Sequence, residues 1–179
     1  MLSEQDSVLV IIDVQGKLAQ VMHDKETLFA NLQKLVRGAL ALGMPILWLE
    51  QNPERMGKTI PELRDLLTGQ EAIGKMSFSC CGEPAFMDRL QALGRRQAIL
   101  AGIETHVCVY QTAADLLARD FQVEVAADAV SSRRLADKEI GLARIQSAGA
   151  RITCVEMALF EILRTAKHPA FRDILNIVR

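Results

Sequence analysis

Short aliphatic runs alternate with longer amphipathic segments from one end of the chain to the other. Val8-Leu9-Val10-Ile11-Ile12 is a continuous apolar run of strand length, with no polar position left to face water. A strand of that kind is covered on both faces, as in a parallel sheet flanked by helices. Leu28, Leu32, Leu35, Val36 and Ala39 then recur at helical spacing, and Gly43 followed by Pro45 supplies a stop. Ile46-Leu47-Trp48-Leu49 predicts a second strand. Thr59-Ile60-Pro61-Glu62 matches the capping box that opens a short helix through Leu67.

The alternation continues. A third strand is expected at residues 72–75, and Pro84 opens a helix that shares Phe86, Leu90 and Leu93 on one face and ends at Gly94. Residues 97–103 read as a strand, 105–119 as a helix and 121–126 as a strand. A helix at 137–148, a last strand at 151–155 and two closing helices follow, the second after His168-Pro169. Right-handed crossovers between six such strands predict an α/β fold, a three-layer αβα sandwich around a six-stranded parallel Rossmann-like sheet. At 179 residues the whole of 1–179 is expected to form a single domain.

Composition narrows the partners. Half the residues are apolar but only 4% aromatic, so the core is aliphatic. A net charge of −1 gives no basic field for nucleic acid or anionic lipid, so neither partner is expected. The N-terminal residues carry no cationic n-region, and the apolar run ending at Asp13 is too short for a signal sequence. The stretch at 39–49 is broken by Gly43 and Pro45 and is too short for a membrane span. Four cysteines, two of them adjacent at Cys80 and Cys81, make a poor disulfide framework. A reducing, cytoplasmic location is the expectation.

In an open parallel sheet, ligands bind beyond the carboxyl ends of the strands. The residues that follow the strands are Asp13, Lys75 and the turn from Glu104 to Cys108. Cys108 falls in the expected first turn of a helix, where the macrodipole favours thiolate over thiol. A carboxylate beside it can act as general base, and a lysine keeps that carboxylate ionised and balances charge on the substrate. Each residue has a blander reading. Free cysteine is often an inert buried hydrophobe, Asp13 could serve as a helix cap, and a lysine after glycine is commonplace on surfaces.

These residues resemble a family. Ile-Asp-Val-Gln at 12–15, Gly-Lys-Met-Ser-Phe at 74–78 and Gly-Ile-Glu-Thr-His-Val-Cys-Val-Tyr-Gln-Thr-Ala at 102–113 are similar to the motifs of the isochorismatase-like cysteine hydrolases, in that order and spacing. Asp-Ala-Val-Ser-Ser-Arg at 128–133 and Glu-Gln-Asn-Pro at 50–53 extend the likeness to the short isochorismatase-domain proteins. The resemblance implies an Asp13, Lys75, Cys108 triad and a non-proline cis peptide between Ile103 and Glu104. It also implies an oxyanion hole made by the backbone N–H groups of Glu104 and Cys108. The chain departs from the nicotinamidase branch, which holds a metal with an Asp-x-His pair after the second strand. Residues 50–55 contain no such pair, and His23, His106 and His168 lack ligand spacing, so no metal and no other cofactor is expected. His106 reads as a helix-start residue or pocket lining. Vinyl-ether-cleaving isochorismatases lack the thiol, so Cys108 argues against that reaction.

The leading expectation is therefore a hydrolase that cleaves a small amide or related C–N acyl compound through a thioester. Gln15, Trp48, Gln51, Phe78 and Tyr110 are the candidate pocket walls, by their closeness to strand ends. A thiol redox or peroxide-sensing protein is the alternative, with Cys80 or Cys81 as resolving thiol; a non-catalytic interaction protein is a third. Ser131, Ser132 and Arg133 read as the start of a helix, or as lying near the pocket or a subunit contact. Cys154 is expected in a buried strand, and Met44, Met56, Met76, Met87 and Met157 as core filler. A small-molecule substrate and a homo-oligomer complete the expectations.

Overall fold

The computed structural model describes all 179 residues. In chain order the elements are β1 (Ser7–Ile12), α1 (Gly16–Gln20), α2 (Lys25–Ala41), β2 (Ile46–Gln51), α3 (Pro53–Met56), α4 (Pro61–Arg64) and β3 (Ile73–Lys75). Then come a 3-10 turn (Cys80–Gly82), α5 (Pro84–Ala92), β4 (Gln97–Ile103), a wide π-helical turn (Thr105–Val109) and α6 (Tyr110–Leu117). The chain closes with β5 (Gln122–Ser131), α7 (Leu135–Ser147), β6 (Arg151–Thr153), α8 (Val155–Leu163) and α9 (Phe171–Val178).

All six strands are parallel, in the order β3-β2-β1-β4-β5-β6. Every residue of β1 is buried, because its alternate side chains enter two separate cores. Leu9 and Ile11 join Leu28, Leu32, Leu35, Val36, Leu159 and Ile162 from α2 and α8 on one face. Val8, Val10 and Ile12 join Phe86, Leu90, Val109, Ala113 and Leu116 on the other. This two-sided demand is the physical source of the unbroken apolar run. No helix is long and apolar enough to cross a membrane.

The order reverses between β1 and β4, so the carboxyl ends of these two central strands diverge and leave a crevice. Gly102, the penultimate residue of β4, has φ +119, and a Cβ there would run into the backbone of Ile12. The ends of β1 and β4 meet this closely only because the residue is glycine.

Four expectations change at the element ends. Thr59 does not cap α4, whose N-cap is Ile60. Its N–H and hydroxyl both donate to Glu50 Oε1, at 2.7 and 2.9 Å, because a carboxylate buried at the end of β2 needs donors more than a short helix needs a cap. Ser131 does not start a helix. After a register shift beside Gly102, β5 resumes pairing with β4 and carries Val130 and Ser131 into the sheet. Cys154 is the N-cap of α8, its sulfur accepting from Met157 N–H at 3.5 Å, rather than a strand residue. Met76 and Met157 are 70% and 58% exposed and fill no core.

Gly102→Ala combines a left-handed φ with overpacking against β1, and is expected to cost about 3 kcal/mol. The check is a fall in urea midpoint at unchanged m-value; a midpoint within error of wild type would mean that the two strand ends can separate freely.

Candidate active site

Asp13 follows β1 with φ 54, a left-handed conformation that aspartate tolerates better than most residues. Its N–H donates to Leu49 O at 3.1 Å, which fixes the turn against β2. Lys75 ends β3, two strands away, and its extended side chain runs back across the end of β2. There Lys75 Nζ meets Asp13 Oδ2 at 2.7 Å, with both side chains buried. The ammonium also donates to Gln51 Oε1 at 2.6 Å and to the carbonyls of Ser77 and Phe78, each at 3.1 Å. Three protons face four acceptors, so Lys75 is saturated by its own chain.

Gln51 is held in turn. Its backbone N–H donates to Gln15 Oε1 at 2.6 Å, its carbonyl accepts from Gln15 Nε2 at 3.1 Å, and its own Nε2 donates to Met76 O at 2.9 Å. Gln15 Nε2 also reaches Gly57 O at 2.7 Å. Gln15 is fully buried and clamps loops behind the site instead of lining it. This corrects its expected place on the pocket wall.

Cys108 lies in the wide turn after β4, beside the carboxylate of Asp13. The peptide bond between Ile103 and Glu104 is cis. The turn is pinned on two sides. Glu104 Oε2 accepts from Arg133 N–H at 3.0 Å and from Arg133 Nε at 3.2 Å, and His106 Nδ1 lies 3.0 Å from Ser132 Oγ. Behind it sits Gly141 of α7, where a Cβ would fall 2.8 Å from His106 N. The Glu104 N–H itself donates to no acceptor in the protein.

One cavity of about 130 Å³ joins these groups, lined by Asp13, Gln51, Glu104 and Cys108 together with Leu18, Met56, Phe78, Ile103 and Val107. Of the five wall residues expected from sequence, Gln51 and Phe78 are in place. Trp48 is buried in the core on one face of the sheet, because position 48 of β2 points down into a helix layer. Tyr110 turns outward to α7, where Arg144 donates to its hydroxyl at 3.1 Å and lies over its ring. Leu18, Met56 and Val107 were not legible. They sit in short helices and turns, where an apolar residue in sequence looks like ordinary core.

The electrostatics correct one expectation. Burial pushes the Cys108 thiol up to about 12, the Asp13 carboxylate adds to the rise, and Lys75 opposes it less strongly. Cys108 therefore rests as a thiol at neutral pH. Burial also raises Asp13 above the ordinary carboxylate range, against the pull of Lys75. Asp13 Oδ1 is buried and has no hydrogen-bond partner, so it is an open acceptor beside the thiol. Cys80 and Cys81 are buried in the 3-10 turn, and burial raises both thiols, Cys81 to about 11. No group of three or more His, Cys, Asp or Glu side chains could hold a metal ion.

With this geometry in view, the model of the isochorismatase domain matches residues 7–157. The chain belongs to the isochorismatase domain family. Among family members, zebrafish isochorismatase domain-containing protein 1 is 34% identical over 178 residues, 99% of this chain. The chain spans only 62% of that relative's length. Mouse isochorismatase domain-containing protein 2A is 34% identical over 98% of this chain and 84% of its own. Among solved structures, the MAR1 ribonuclease from Caenorhabditis elegans superposes with a TM-score of 0.93 at 32% identity, covering 99% of this chain and 91% of that one. The Escherichia coli YcaC gene product, described as an octameric hydrolase of unknown specificity, shares the fold with a TM-score of 0.88 at 21% identity, covering 98% and 94%. Membership of the isochorismatase domain family supports a hydrolase-type role.

Two outcomes follow from the charges. Lys75→Met strands the Asp13 carboxylate in a buried site and is expected to cost about 3–5 kcal/mol by denaturant unfolding, most of it regained in the Asp13→Asn/Lys75→Met double variant. Asp13→Asn alone removes the carboxylate that raises Cys108, so the alkaline titration of its thiolate absorbance should move clearly below about 12. No movement would separate the two groups electrostatically.

Proposed function

We propose that the chain is a cysteine hydrolase that cleaves a small amide or related C–N acyl compound, with Asp13, Lys75 and Cys108 as its triad. The observation that carries this is the convergence of a thiol, an open carboxylate oxygen and an unpartnered backbone N–H on one cavity. A neutral thiol beside a carboxylate of raised pKa needs no preformed thiolate, because the proton moves to Asp13 as sulfur attacks.

Cys108 Sγ bonds to the carbonyl carbon while its proton passes to Asp13 Oδ1. The Glu104 and Cys108 N–H groups donate to the oxyanion. As the tetrahedral species collapses, Asp13 returns the proton to the leaving nitrogen, the C–N bond breaks, and ammonia or an amine departs from a thioester. Water then takes the vacated place and gives a proton to Asp13, its oxygen bonds to the acyl carbon, and the C–S bond breaks. Sulfur regains the proton and the acid leaves. Lys75 acts through Asp13, holding it ionised and oriented, since all its own protons are engaged. This role replaces the expected contact between Lys75 and substrate charge. A homo-oligomer remains part of the proposal, supported by the octameric state described for the E. coli neighbour.

The name of the C. elegans neighbour makes RNA cleavage a second reading. A phosphodiester would have to approach the Asp13 carboxylate in a cavity with no cationic wall, on a chain of net charge −1. The two readings separate in one comparison. Cys108→Ala should lower amide turnover about 10 000-fold, and intact mass should show an acyl adduct on wild type alone. RNA should remain uncut by wild type beyond the Cys108→Ala background. Undiminished turnover in Cys108→Ala would end the hydrolase proposal.

A further inference from the structure

The walls of the cavity say more about the acyl group than the triad does. Six of the nine lining residues are hydrophobic, Cys108 together with Leu18, Met56, Phe78, Ile103 and Val107. The volume of about 130 Å³ is small for a ligand site, where several hundred is usual. As a scale, an apolar cavity of about 150 Å³ takes benzene. No cationic side chain lines the space, and of its two charged members Glu104 has its carboxylate turned to Arg133, which leaves the carboxylate of Asp13 as the charge that faces it. Two cations that pair with lining residues are already engaged. Lys75 is saturated, and Arg133 faces Glu104 at 3.2 Å. Phe78 is 56% exposed, so its ring serves no core, whereas its carbonyl anchors Lys75. The ring forms an apolar wall on a fixed backbone.

From the walls and charges we infer that the substrate is an amide whose acyl part is uncharged and aliphatic, with no more than about six non-hydrogen atoms. Leu18, Met56, Phe78 and Val107 select it by contact, and Asp13 rejects anionic analogues of the same shape. An acyl carboxylate would lose its hydration, gain no free cation and meet the like charge of Asp13. An aromatic acyl group exceeds the space. This inference rests on Cys108 as the nucleophile.

The test uses pairs matched in shape. Isovaleramide and malonamate differ only in exchanging two methyl groups for the two oxygens of a carboxylate, and wild type should favour isovaleramide in kcat/KM by at least about 100-fold. Benzamide should be a poor substrate for wild type, and Phe78→Ala should improve its kcat/KM relative to isovaleramide about 10-fold or more. Malonamate or benzamide turned over by wild type as well as isovaleramide, and dependent on Cys108, would overturn the inference while leaving the hydrolase reading intact. If no amide of either class is turned over, the hydrolase reading fails, and alkylation decides on the cavity alone. Iodoacetamide and iodoacetate are matched in size and differ in charge. Their rates at Cys108, each divided by the rate with 2-mercaptoethanol, should favour the neutral reagent by at least about 10-fold. Parity in that ratio would show that the cavity does not sort by charge.

Discussion

The contact between Lys75 and Asp13 organises everything around it. Taking a carboxylate and an ammonium out of water costs several kcal/mol per ion, and one bond of 2.7 Å does not recover that alone. Recovery comes from the remaining acceptors, Gln51 Oε1 and the carbonyls of Ser77 and Phe78, which use every proton that the ammonium has. Those acceptors belong to the end of β2 and to the loop after β3, so the pair fixes the edge of the sheet on which the cavity forms. Gln15 extends the network by holding the backbone of Gln51 at both its N–H and its carbonyl.

The same pair, with burial, bears on the resting state of the Cys108 thiol. Lysine beside aspartate leaves little net positive field at Cys108, and burial then keeps the proton on sulfur. A permanently ionised thiolate would be open to oxidants as well as to substrate. In the proposed mechanism reactivity appears only when a carbonyl lies in place and Asp13 can accept the proton. On that proposal the triad and the small cavity are two parts of one condition, since the cavity determines which carbonyl can lie there.

Much of this was legible in sequence for a definite reason. A strand buried on both faces must be apolar at every position, so β1 and β4 stand out, and the residues after them are the only polar groups that the central strands deliver to the open edge. Asp13 and the turn that carries Cys108 are found by that rule, whereas Lys75 ends the short edge strand β3 and is found only by inspecting every strand end. The walls are not, because Leu18, Met56 and Val107 lie in irregular connections whose facing depends on the final packing. Trp48 and Tyr110 mislead for the converse reason: both stand near strand ends, but the alternation of β2 sends one into the core and the turn of α6 sends the other to Arg144. Thr59 shows that a local motif yields to a distant need, since its donors serve Glu50 and not the helix that follows. The charge state of Cys108 also escaped, because local position suggests a helix dipole whereas burial and Asp13 are tertiary facts.

Phe78 unites two roles in separate parts of one residue. Its carbonyl belongs to the cradle around Lys75, which any amino acid could supply, while its ring is a wall of the cavity with no other duty. Replacing the ring therefore leaves the charge network untouched, and the same holds for few other positions so near the sulfur. On the proposed function, position 78 can thus change the shape of compound accepted without disturbing the buried pair that holds Asp13.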